Sequence, residues 1–115
     1  MEDRPESDPN GLTPQTPGAK LDSSKNRLGL VLGSFSVALI AVGEVGTYGA
    51  RKYSDNGWLE VENAKERYKD ALYRHLLAHE SGELLDKETG LSHLAHLAWN
   101  SLAILHMDIV GDNAR

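Results

Sequence analysis

Residues 67–100 read RYKDALYRHLLAHESGELLDKETGLSHLAHLAWN. This stretch holds four of the five histidines, His75, His79, His93 and His96, and the carboxylates Glu80, Glu83, Asp86 and Glu88. Before the acidic segment ESGELLDKETG, the residues Ala64, Tyr68, Ala71, Leu72, His75, Leu76 and His79 share one helical face. After it, Leu94, Ala98, Leu102 and Leu105 recur at helical spacing, with His93, His96 and Asn100 on a second face at i, i+3 and i+7. Gly82 and Gly90 bracket the connection, and Ser92 has the chemistry of an N-cap for a helix over about 93–107. The stretch is therefore two helices around an acidic turn. Both helices put ionisable groups where apolar ones are expected, which is costly unless those groups are paired or ligated.

Working outward, Asn63 with Glu66 three residues on resembles a capping box opening the helix that contains His75. Upstream, Asp55, Asn56 and Gly57 signal a turn, and Trp58 follows as a core plug or a flat surface for a ligand ring. Val37, Ile40, Ala41, Val45 and Tyr48 predict an earlier helix from Ser34 or Ser36 to about Tyr53, closed by Arg51 and Lys52. Glu44 falls on that stripe, either at the core edge or pointing into a site between helices. No segment shows strand alternation. The expected fold is all-α, a small bundle of three main helices per chain completed by oligomerisation.

Residues 28–43, LGLVLGSFSVALIAVG, are the most apolar run. A spanning helix needs about 20 apolar residues, so a buried core helix is the expectation and no membrane partner is assigned. All four prolines fall in the first 17 residues. Residues 1–26 are too polar to offset their ordering entropy and read as a disordered leader, with the helical domain over 27–110 and a tail at 111–115. There is no cysteine, which excludes disulfides and thiolate metal sites. A net charge of -5 with scattered basic residues argues against nucleic acid as the partner. A core of roughly 80 residues yields a few kcal/mol, which favours an oligomer.

Glu80, Glu83 and Asp86 follow at intervals of three, and carboxylates so spaced suit a hard cation such as magnesium that keeps water and substrate oxygens as further ligands. The bland alternative is a solvated helix end. His93 and His96, one turn apart, suit a transition metal, a general base or a phosphate contact, or are core-edge histidines bonded to helix carbonyls. Asn100 can hold one imidazole in the required tautomer. Arg67, Asp70 and Arg74 form either an ion-pair ladder or a basic rim for phosphate. P-loop, G-x-S-x-G and Rossmann motifs are absent.

Three segments carry a family resemblance: residues 44–58, EVGTYGARKYSDNGW; residues 67–90, RYKDALYRHLLAHESGELLDKETG; and residues 91–105, LSHLAHLAWNSLAIL. Together they resemble the phage dATP/dGTP diphosphohydrolase family, related in type to the all-α MazG-like pyrophosphohydrolases. The resemblance spans about residues 28–107. It implies hydrolysis of a purine deoxynucleoside triphosphate to the monophosphate and pyrophosphate with Mg²⁺, or Mn²⁺, in the cytoplasm, of a host cell if phage-encoded. Glu80-Ser-Gly-Glu83 matches an E-x-x-E metal pair in letters, whereas His93-Leu-Ala-His96 stands where a second acidic pair is expected. The resemblance carries over Glu83 and Glu80 as metal candidates; Asp86 by its spacing and Glu44 by its place on the helix stripe join them, and His93, His96 and Glu80 are the catalytic candidates. Lys52, Arg67, Arg74, His75, Trp58 and Asn100 are substrate-binding candidates. The alternative function is a non-enzymatic helical phage protein with a histidine-rich core.

Overall fold

A computed structural model describes residues 6–111. The chain divides into two compact units, Met1–Ser34 and Phe35–Arg115. Among the described residues there are four α-helices and no strand: α1 (Leu28–Ser34), α2 (Ser36–Lys52), α3 (Ala64–Glu80) and α4 (His93–Val110). A short 3-10 turn, Gly57–Glu60, joins α2 to α3.

In the first unit, residues 7–25 form successive turns. Asp8 is buried and its carboxylate accepts from the backbone N–H of Asn10 (2.7 Å) and Lys20 (2.8 Å), so it ties the turns together. Composition predicts disorder here; the carboxylate's local bonds are what the composition does not reveal. α1 buries no residue. Leu28, Leu30, Val31, Leu32, Phe35, Val37 and Ile40 are all exposed, which overturns the expectation of a buried core helix over 28–43. Among the described residues no single helix is long and apolar enough to cross a membrane, although α1 and α2 together would be by length and composition.

In the second unit α4 is the central element. It packs most extensively against α3 and also against α2. Its buried residues are His93, Ala95, His96, Asn100, Ala103 and Met107. His93, His96, Asn100, Ala103 and Met107 advance by three and four, so they form one inward stripe. The expected apolar face lies on the other side: Leu94, Leu102 (51% exposed) and Leu105 (55%) point outward. Small side chains such as Ala95 and Ala103 let neighbouring backbone come close. α2 reaches α4 at Gly46, where an added Cβ would lie 3.2 Å from the Trp99 indole nitrogen. Trp99 in turn meets Trp58 and Tyr68 edge-to-face, each with ring centroids 5.5 Å apart. The Tyr68 hydroxyl donates to the Trp58 carbonyl at 2.7 Å. Trp58 is thus a half-buried ring held against Trp99, Tyr68 and His106.

The helix boundaries near the acidic turn follow from local chemistry. Ser92 caps α4, its hydroxyl accepting from the N–H of Leu94 and Ala95. Asn63, by contrast, precedes α3 in the left-handed region (φ 54) and makes no side-chain cap bond, so the expected capping box does not form. α3 ends in a Schellman motif: Glu83 N–H donates to the Ala78 carbonyl and Gly82 N–H to that of His79, with Gly82 at φ 97. Glu83 therefore leaves the helix axis. Glu80, Glu83 and Asp86 follow at intervals of three, but no helical face aligns them past Gly82.

Candidate functional site

The connection between α3 and α4 is a pinned loop. Asp86 N–H donates to the Leu91 carbonyl (2.8 Å) and His93 N–H to that of Leu84 (3.0 Å). One Asp86 oxygen, Oδ1, accepts from the N–H of Glu88 and Thr89, both at 2.9 Å. This turns the other oxygen, Oδ2, toward His75, whose Nδ1 lies 3.9 Å away. The Schellman turn at one end and the Ser92 cap at the other deliver Glu83 and His93 to the same spot.

The histidines meet there. His75 Nδ1 and His93 Nδ1 are 2.8 Å apart. His93 Nε2 lies 2.9 Å from Glu83 Oε2. An ionised carboxylate only accepts, so His93 carries its proton on Nε2 and presents a lone pair at Nδ1. His75 then donates from Nδ1. The His75 ring also stacks on His96, with centroids 4.4 Å apart and planes 7° from parallel. His96 Nε2 is 2.8 Å from the Thr89 hydroxyl, and Asn100 Nδ2 donates to the His96 carbonyl at 2.8 Å. Asn100 thus ties down the His96 backbone, not an imidazole.

Burial keeps the His75 and His96 rings neutral. Burial pushes His75 down to about 4, and the stacked His96 adds to the effect while the Asp86 carboxylate opposes it. Burial likewise lowers His96. Burial favours the neutral form of Asp86 too, but the Thr89 and Glu88 N–H groups outweigh it and hold the carboxyl below its usual range.

A cavity of about 800 Å³ adjoins the cluster. Lys52, Arg67 and Arg74 give it three cationic side chains, and Trp58, Tyr68 and Trp99 an aromatic wall. His75, His96, Thr89 and Asn100 line it from the α3–α4 side. Lys52 donates to Glu88 at 2.8 Å, and the Tyr48 hydroxyl donates to the same carboxylate at 3.1 Å, so α2 is linked to the acidic loop. Arg67 donates to the Glu62 carbonyl at 3.3 Å.

All six expected substrate contacts, Lys52, Arg67, Arg74, His75, Trp58 and Asn100, therefore line one cavity. The four expected metal carboxylates do not come together. Among the described residues the group whose ligand atoms all lie within 4.8 Å of one another is His75, Asp86 and His93. Glu83 backs His93, Glu80 is exposed at the end of α3, and Glu44 lines a separate depression with Thr47 and Arg51. Sequence reasoning missed Thr89 and the Tyr48–Glu88 link. The D-x-E-T-G turn held the signal for Thr89, since an Asp followed by a two-residue turn positions the groups after it.

Among the described residues, the fold and site define an all-helical protein whose aromatic-walled cavity carries Lys52, Arg67 and Arg74 together with Asp70 and Glu88, beside a histidine–carboxylate cluster. The chain belongs to the family described as dATP/dGTP diphosphohydrolase, N-terminal, whose family model matches residues 15–114. No curated protein and no solved structure matches it.

Proposed function

We propose that this chain hydrolyses dATP or dGTP to the monophosphate and pyrophosphate. The observation that carries the reading is the gathering of Lys52, Arg67 and Arg74 with His75 and His96 around one cavity, in a member of this family. Mg²⁺ or Mn²⁺ carried in with the triphosphate would neutralise part of the phosphate charge. Arg67, Arg74 and Lys52 balance what remains and hold the phosphates in line. Trp58 and Tyr68 offer the base an apolar wall. A water oxygen attacks the α-phosphorus, and the bond from that phosphorus to the bridging oxygen breaks. Pyrophosphate leaves with the electron pair. The water's proton passes to the Thr89 hydroxyl, whose own proton moves to His96 Nε2, a ring that burial keeps neutral and able to accept. The reaction belongs in the cytoplasm, where its substrate is. We also assign the working form as a homo-oligomer, supported by the outward stripe Leu94, Leu102, Leu105 and Ile109 on α4.

The test is a nucleotide panel with Mg²⁺ and product separation. Equal release of pyrophosphate and deoxynucleoside monophosphate is expected. Orthophosphate as the product, or no turnover of any nucleotide, overturns the reading. A second reading, a non-enzymatic module with a polar core, draws on the continuous His75–His93–Glu83 hydrogen-bond chain. It would be upheld by a folded chain that turns over nothing.

A further inference from the structure

We propose that His75, Asp86 and His93 form a resident site for one transition-metal ion of the manganese, iron, cobalt or zinc class, at the α3–α4 seam. Three separate elements supply the donors: α3 gives His75, the pinned loop Asp86, and the first turn of α4 His93. Their ligand atoms lie within 4.8 Å of one another. Two donors bound to one ion at about 2.1 Å stand roughly 3.0–3.4 Å apart, so the 2.8 Å between the two Nδ1 atoms needs only a slight widening. Loading requires His75 to shift its proton to Nε2.

Two features distinguish this cluster from a chance meeting of polar groups. First, each donor is aimed by a second group. Glu83 accepts from His93 Nε2 and thereby directs the Nδ1 lone pair at the site, the carboxylate–histidine arrangement that orients metal ligands. The Glu88 and Thr89 N–H groups occupy Asp86 Oδ1 and leave Oδ2 for the ion. Second, His93 is 4% exposed, yet its inward nitrogen finds only another imidazole nitrogen. The donor set also selects the ion. Imidazole suits zinc, iron and their neighbours, whereas magnesium prefers oxygen. Three protein ligands leave coordination positions open, and His75 borders the cavity, so water or a phosphate oxygen has access from that side.

The inference stands on this geometry and not on the proposed hydrolysis. Its test uses the full chain without a histidine tag and reads metal rather than turnover. Titration with Co²⁺ should give one equivalent bound, with visible d–d absorption, and Zn²⁺ should displace it. Asp86→Asn and His75→Ala should each abolish that signal while far-ultraviolet circular dichroism stays helical. Glu83→Gln should keep the stoichiometry and weaken binding roughly 10–100-fold. A wild-type chain that binds neither Co²⁺ nor Zn²⁺ at one equivalent overturns the proposal. So does unchanged affinity in a folded Asp86→Asn chain. Should His75→Ala unfold, His75→Gln carries the same comparison with the ring volume largely kept.

Discussion

Residues 28–40 and the inner stripe of α4 invert the usual relation between polarity and burial. The first is almost wholly apolar and its large side chains stand exposed. The second begins with His93, His96 and Asn100, all buried. The contrast shows what holds the second unit together. Among the described residues its buried apolar ones are Val45, Ala64, Ala95, Ala103 and Met107, and no large side chain is fully buried. So thin an apolar core contributes little by area alone. The polar stripe is stable in its place because its atoms are partnered: His93 by Glu83 and His75, His96 by Thr89, Asn100 by the His96 carbonyl.

The largest effect should come from breaking that stripe at its most connected member. His93→Ala removes a buried ring and strands both Glu83 and His75, whose remaining polar atoms lose their partner. The expected loss is about 2–4 kcal/mol of unfolding free energy, read by urea denaturation of the metal-free chain. A loss under about 0.5 kcal/mol, the size usual for a surface change, would mean that the stripe is merely tolerated. The comparison with residues 28–40 would then carry no lesson about stability.

A smaller change tests the outward side. Leu102→Glu replaces a half-exposed leucine on α4. The monomer's stability should move by no more than about 0.5 kcal/mol, while light scattering should report a smaller particle than wild type. An unchanged particle size would show that the outer stripe covers nothing.

Both variants bear on what was legible in the sequence. The period of α4, its Ser92 cap, the end of α2 at Lys52 and the turn at Gly82 follow from local residue chemistry, and they stand as expected. The face of α4 does not. Leu94, Ala98, Leu102 and Leu105 repeat as well as any core stripe, and hydropathy favours them. Which side is buried depends on what α3 and the loop bring, namely His75, Glu83 and Asp86, and a single helix's pattern contains none of that. The expected metal carboxylates stay apart for a different reason: Glu80, Glu83 and Asp86 keep a spacing of three in the sequence, but Gly82 stands between them and its left-handed backbone ends the helix. Lys52, Arg67, Arg74 and Trp58 come to one cavity because they lie on helices and turns whose periodicity and turn residues are local.

The smallest effect concerns the first unit, where order rests on one carboxylate instead of a core. The Lys20 N–H, with those of Asn10 and Leu12, holds the Asp8 carboxyl below its ordinary value of 3.8 against the opposing influence of burial. A folded value below the unfolded one means that the ionised form stabilises the turn. That contribution is complete above the ordinary value and is lost as pH falls through the lower, folded value. Amide exchange at Lys20 should therefore accelerate, relative to an unstructured peptide at the same pH, only as the solution passes below about pH 4. Asp8→Asn should show the accelerated exchange at every pH, since the amide oxygen carries no charge for the three N–H groups. At neutral pH, Asp8→Asn should leave the amides of α3 and α4 as protected as in the wild type, because Glu83, Asp86 and Ser92 supply their order. If Lys20 stays equally protected in Asp8→Asn, the turns of residues 7–25 owe their form to backbone bonds such as Ser23 N–H to the Ser7 carbonyl, and Asp8 is incidental.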